Sequence, residues 1–110
     1  MASRDTSERG SGVQSTGELH AVLASSDRRA VLRYFRDRED HVASLDDLAG
    51  CLVSVEGGPD DPAEAATVLH HRTLPTLADS GAVDYDPRTK VTRYRGHERL
   101  EALLPPPPNA

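Results

Sequence analysis

Apolar positions recur at helical spacing through three stretches of the chain and alternate as in a strand through a fourth. Ser15-Thr16-Gly17-Glu18 has the spacing of a capping box, and Leu19, Val22 and Leu23 follow on one face. Ser25-Ser26-Asp27 restarts the helix, and Val31, Leu32, Tyr34 and Phe35 carry the stripe to about Arg38. A second box at Ser44-Leu45-Asp46-Asp47 opens a helix with Leu45, Leu48, Ala49 and Leu52 on one face, and Gly57-Gly58 is expected to close it as a left-handed cap. A third helix is predicted from Pro62 to about Ser80, with Asp61 as cap, Glu64 in its first turn and Gly81 at its end. Pro75 lies inside it. A proline there removes one hydrogen bond and crowds the carbonyl of His71, which predicts a kink or break near residues 71–75.

After Gly81 the period changes to two. Ala82-Val83-Asp84-Tyr85-Asp86 and Val91-Thr92-Arg93-Tyr94 read as strands, joined by Asp86-Pro87-Arg88-Thr89 with the chemistry of a type I turn. A short helix is predicted from Glu98 to Leu104. The order is three helices, a hairpin and a helix. A lone hairpin is marginal in water, so it must pack on the helices. The fold class expected is mainly α with a β-hairpin, a winged helix-turn-helix. Its predicted core is Leu19, Val22, Leu23, Val31, Leu32, Phe35, Leu45, Leu48, Ala49, Leu52, Leu69, Leu74, Leu77, Val83 and Tyr85.

Composition sharpens the boundaries. The 110 residues allow one domain. Residues 1–14 hold Val13 as their one Leu, Ile, Val or Phe and are expected to be a disordered tail; residues 15–104 form the domain, and 105–110 form a proline-rich tail. No apolar run reaches the roughly 18 residues of a membrane span, and the polar N-terminus has no signal-peptide core, so a soluble cytoplasmic protein is expected. Cys51 is the single cysteine, which excludes an intrachain disulfide and a cysteine-based zinc site. The net charge is −5, built from 12 Arg, one Lys, 11 Asp and 7 Glu. Excess Asp with almost no Lys suits a halophilic, archaeal cytoplasm, where carboxylates hold hydrated cations and flexible apolar lysine stems are few.

Two blocks also carry a resemblance. Leu23-Ala24-Ser25-Ser26-Asp27-Arg28-Arg29-Ala30-Val31-Leu32-Arg33-Tyr34-Phe35 resembles the opening of a small haloarchaeal winged-helix family of unknown function. Leu69-His70-His71-Arg72-Thr73-Leu74-Pro75-Thr76-Leu77-Ala78-Asp79-Ser80-Gly81-Ala82-Val83-Asp84-Tyr85-Asp86 is similar to its more specific signature, a His-containing helix ending in Leu-Pro-x-Leu before a glycine turn and a Tyr-Asp strand. Thr73 stands where relatives often carry a second His. The family looks related to ArsR-like and MarR-like transcription regulators, which implies DNA binding.

The residues themselves offer two candidate contact surfaces. On a helical wheel, His70 falls inside the core face of the third helix, where a hydrogen-bonded buried histidine is the expected state. The opposite face carries Glu64, Val68, His71, Arg72, Pro75, Thr76 and Asp79, one full positive charge against two carboxylates. In a major groove, Arg72 would pair with guanine while His71 and Thr76 reach base edges or phosphates. The hairpin is more basic. Between Tyr85 and Arg99 there are five cations (Arg88, Lys90, Arg93, Arg95 and Arg99) against Asp86 and Glu98. Arg88, Lys90, Arg93 and Arg95 are expected on phosphates or in a minor groove. The charged run from Asp27 to Asp40 reads as a solvated helix face with intrahelical ion pairs.

Catalysis is not expected. The chain has no nucleotide-binding loop or nucleophile motif, adjacent His70 and His71 point about 100° apart on a regular helix, and no cofactor, metal or small-molecule substrate is implied. Two functions are expected: a transcriptional regulator binding double-stranded DNA, or a protein-interaction and dimerisation module using the same fold without DNA. A homodimer is expected; the terminal patch of Leu100, Leu103 and Leu104, on a helix too short to stand alone, must dock on its own domain or on a twin.

Overall fold

The structure, a computed structural model, describes residues 15–55 and 58–105. The N-terminal tail, most of the proline-rich tail and Gly57 lie outside these residues. Six α-helices and three strands follow one another: α1 Thr16–Val22, α2 Ser26–Arg36, β1 Val42–Ser44, α3 Leu45–Val53, α4 Pro62–Val68, a π-helical segment Leu69–Thr73, α5 Leu74–Asp79, β2 Val83–Asp86, β3 Val91–Tyr94 and α6 Glu98–Leu103. The chain is mainly helical with a small antiparallel sheet in the order β1-β3-β2, an arrangement compatible with a winged helix.

The helix starts follow their caps. Ser15 Oγ accepts from Glu18 N–H at 3.1 Å and Glu18 Oε1 accepts from Ser15 N–H at 2.8 Å, closing the box that opens α1. Ser25, Ser44 and Asp61 cap α2, α3 and α4 by accepting from Arg28, Asp47 and Ala63 N–H, without the return bond of a box; the box expected at Ser44–Asp47 is thus only half formed. Gly81, at φ 85, ends α5: its N–H bonds Ala78 O, and Ala82 N–H reaches back to Leu77 O, a Schellman pattern that needs the left-handed residue. The cap predicted at Gly57-Gly58 is different. α3 ends at Val53 with Ser54 as its cap, and Gly58 is not left-handed. Glycine is needed there for space, because a Cβ would stand 2.5 Å from Leu52 O.

Strand β1 was not expected. Its three residues pair Val42 with Arg93, Ala43 with Thr92 and Ser44 with Val91, so β3 becomes the central strand. β2 pairs on its other side, Val83 with Tyr94 and Asp84 with Arg93. One face of the sheet puts Ala43, Val83, Thr92 and Tyr94 into the core; the other carries Val42, Asp84 and Arg93. Of the predicted core residues all are buried except Tyr85, which is half-buried, and Tyr94 takes the central aromatic place by stacking on Phe35 with ring centroids 5.2 Å apart. Leu100 and Leu104 are buried in the chain's own core with Leu103 packed against it, so of the two placements expected for the terminal patch the structure shows docking on its own domain. No helix among the described residues is long and apolar enough to cross a membrane.

Pro75 acts as its position requires, but through a wider turn. Leu74 N–H bonds Leu69 O, five residues back, so the backbone opens into a π-turn one step before the proline. The extra residue lets Leu69, Thr73, Leu74 and Leu77 share the buried side, while His71, Arg72 and Pro75 stay exposed. The helices α4 and α5 are thereby joined into one continuous rod rather than broken apart.

Candidate functional site

The rod and the hairpin tip stand side by side. His71 and Arg72 are exposed on the π segment, and Thr76, one turn on, is half-buried. Among the described residues Arg72 forms no ion pair or side-chain hydrogen bond. With exposed Glu64 and Asp79, this side of the rod carries one full positive charge and two carboxylates.

The hairpin closes through Pro87–Lys90. Asp86 Oδ1 accepts from Arg88 N–H at 2.9 Å, and Asp86 O accepts from Lys90 N–H at 2.7 Å. Lys90 has φ 60, the one non-glycine residue with positive φ among those described. Its carbonyl accepts from Leu45 N–H at 2.9 Å, which pins the base of the tip to the start of α3. The hairpin is thus anchored at its root and exposed at its end.

Its charge is more balanced than the count from Tyr85 onward implies, because Asp84 belongs to the same ladder. Arg95 Nη1 lies 2.7 Å from Asp84 Oδ2, and Arg88 Nε lies 3.9 Å from Asp86 Oδ1. Both pairs are largely exposed, so water screens them. Arg95 is nonetheless held over the sheet, while Lys90 and Arg93 form no ion pair among the described residues. Arg93 still stands opposite Asp84 in the ladder and shares a groove lining with Asp84 and Asp86, which leaves Lys90 as the predicted hairpin cation whose groove lining holds no carboxylate.

Between rod and tip runs a groove of about 170 Å³ lined by Leu45, Ala66, Thr67, His70, His71 and Lys90. It brings His71 and Lys90 together, two predicted site residues from different elements. Arg72, Thr76, Arg88, Arg93 and Arg95 lie outside this lining. His70 is half-buried and its Nδ1 lies 2.6 Å from Tyr85 Oη, the hydrogen bond that links the π segment to β2. Burial, and then the charge of Asp86, raise the Tyr85 phenol above its ordinary value, so it keeps its proton. The rings of His70 and His71 meet edge to face at 4.8 Å. Among the described residues no group of three or more His, Cys, Asp or Glu is placed to hold a metal ion.

Other cations have structural tasks that their spacing did not reveal. Arg28 donates from Nε to Val22 O at 2.6 Å and from Nη2 to Ala21 O at 3.0 Å, and Arg29 donates from Nη1 to Leu23 O at 2.7 Å. They reach backwards to cap the last carbonyls of α1 instead of pairing along α2. Arg38 lies over the Tyr34 ring at 4.4 Å. Cys51 is half-buried with Sγ 3.9 Å from Ala30 O, and burial raises its thiol above the ordinary value.

The family model described as Domain of unknown function (DUF7344) matches residues 20–93, and the chain belongs to that family. The match runs from α1 to β3 and includes the rod, the hairpin tip and the groove between them. No curated protein and no solved structure matches the chain.

Proposed function

We propose that this protein is a small transcriptional regulator of winged-helix type that binds double-stranded DNA. The π-interrupted rod would enter the major groove, and the hairpin would lie against the phosphate backbone. The observation that carries this reading is the placement of two cations without an ion-pair partner among the described residues: Arg72, exposed on the rod, and Lys90 at the hairpin tip, which lines a groove whose lining has no carboxylate. A guanidinium can pair in bidentate fashion with guanine, and a lysine on a protruding turn can reach phosphate. The arginine-rich, lysine-poor acidic composition supports work in the cytoplasm of a salt-adapted archaeon.

A titration of the full chain with duplex DNA at several salt concentrations, up to molar KCl, tests the proposal. Saturable binding whose affinity falls with salt, with a preferred sequence that survives at high salt, is the expected result. The protein-interaction reading has its own support. Asp84 and Asp86 offset part of the wing charge, and the whole chain carries −5. Absence of duplex binding at every salt concentration would favour it.

A further inference from the structure

Two grooves flank the β2–β3 hairpin, and their linings differ in charge. The groove lined by β2, β3 and their turn, of about 370 Å³, has Asp84 and Asp86 in its lining together with Arg93. The groove between tip and rod has Lys90, His70 and His71, and no carboxylate in its lining. The second offers N–H donors from Lys90 and the histidines without an opposing carboxylate.

The backbone of Lys90 strengthens the point. A residue with a Cβ enters the left-handed region at a steric cost, and glycine would fit that turn without it. The amide and carbonyl of Lys90 are both committed, to Asp86 O and Leu45 N–H, so its side chain starts from a fixed point beside the histidines. A strained residue held by its surroundings is a mark of a position kept for its side chain.

We propose that Lys90 and His71 together seat one phosphodiester group of a nucleic-acid backbone in this groove, with His70 as a third donor. The inference rests on the DNA-binding reading and names what this groove holds within it. Lysine brings three N–H donors and no acceptor, and each imidazole brings at least one N–H. In the tautomer in which Tyr85 Oη–H donates to Nδ1, His70 has its N–H at Nε2, where it is available to a second partner. Thr67 is not a ligand for the anion, because its hydroxyl already donates to Ala63 O at 3.0 Å. His71 is then a phosphate contact, which leaves Arg72 as the base reader of the π segment.

Two measurements on the full chain separate this inference from the reading beneath it. In the first, histidine ring NMR signals are followed during titration with inorganic phosphate, with chloride at equal ionic strength as control. Shifts of His70 and His71 that saturate by roughly 10 mM phosphate are expected. In the second, duplex binding is measured for Lys90→Gln, His71→Gln and the double variant. Lys90→Gln should weaken binding about 10-fold near 0.1 M salt, equally for preferred and random sequences, and lower the slope of log K against log salt by roughly 1. The double variant should fall short of the product of the two single losses, since both side chains hold one group. Lys90→Gly, which relieves the left-handed backbone, should fold and show the same loss as Lys90→Gln.

No phosphate shift alongside intact duplex binding overturns the seat and leaves the DNA reading standing. Phosphate shifts without duplex binding overturn the DNA reading and leave an anion seat whose occupant is not a DNA backbone. Losses that multiply, or a His71→Gln variant that loses discrimination but not random binding, also overturn the shared seat.

Discussion

His70 and Tyr85 are joined by a 2.6 Å hydrogen bond between Nδ1 and Oη, and through it the π segment of the rod is tied to the first strand of the hairpin. The two residues are 15 apart in sequence and belong to different elements. Tyr85→Phe keeps the ring and deletes the bond. It should lower stability by about 1 kcal/mol, the net worth of one such hydrogen bond, and speed amide exchange in β2. Urea unfolding and hydrogen exchange measure the two effects. An unchanged midpoint and unchanged exchange would mean that packing alone aligns hairpin and rod.

Tyr94 makes the fold sensitive to alkali. Its phenol is raised well above the ordinary 10.0 by burial, then by the hydrogen bond it donates to Glu101 and by that carboxylate's charge. Tyr85 is raised in the same direction. The folded chain therefore keeps protons that the unfolded chain releases above about pH 10, and stability falls as pH rises through that range. Below the ordinary phenol value the contribution is fully present. Cys51, raised by burial from 9.0, adds the same sign slightly earlier, so the measurement belongs in a Cys51→Ala background. Tyr94→Phe in that background should flatten the decline of stability between about pH 10 and 11.5. A slope as steep as that of the parent would remove Tyr94 as a cause.

Thr92 is fully buried in the central strand, opposite Ala43 and Tyr85, and its hydroxyl has no hydrogen-bond partner among the described residues. Valine has nearly the same shape and no hydroxyl to desolvate. Thr92→Val should raise stability by about 1 kcal/mol, read from the urea midpoint at constant m. A loss instead would show that the hydroxyl is satisfied in solution by water or by a shifted neighbour.

The elements that local chemistry specifies were legible in the sequence. The Ser15–Glu18 box, the Asp61-Pro62 start and the Gly81 stop each rest on residues within one turn of one another, and each appears in the structure. Strand β1 was not legible, because three residues carry almost no period and their ladder partners on β3 lie about 50 positions away. Pro75 announced a disturbance of the rod, but nothing in its neighbours distinguishes a kink from a π-turn. Alternation correctly marked Val83 as buried and then carried the same face to Tyr85. That step missed that Tyr85 lies on edge strand β2, two pairs nearer the turn than Val83, while Tyr94 stacks on Phe35. In the site, His71 and Lys90 could each be singled out from sequence. Their meeting in one groove depends on how the hairpin leans against the rod, and no local pattern encodes that.

Lys90 separates stability from binding. Lys90→Gly removes the steric penalty of a left-handed backbone and should stabilise the fold by about 1 kcal/mol, while it weakens duplex binding as described above. Thermal or urea unfolding of the pair of proteins measures the first effect. A destabilised glycine variant would mean that the lysine stem packs on Leu45 or Ala66 strongly enough to outweigh the strain.

Positioning and reading should respond to different mutations. Arg88, Lys90 and Arg93 lie on the hairpin, where the reach is to backbone and minor groove; Arg72 stands on the exposed side of the rod, where the reach is to base edges. Neutralising the three hairpin cations together should weaken binding to all sequences and flatten the salt dependence, each lost phosphate contact lowering the slope of log K against log salt by roughly 1. The reduction should stay below that of three full contacts, because Arg88 already lies near Asp86. Arg72→Ala should instead cost about 1–3 kcal/mol on the preferred site and much less on random DNA. At molar salt the screening length is about 3 Å, so the phosphate contribution fades and discrimination depends on the rod, apolar contacts and DNA shape. The two variants should therefore diverge as salt rises: the hairpin variant converges on the wild type, and Arg72→Ala keeps its deficit. If Arg72→Ala leaves specific binding intact while the hairpin variant abolishes discrimination, the reading surface is the wing and the rod only positions it.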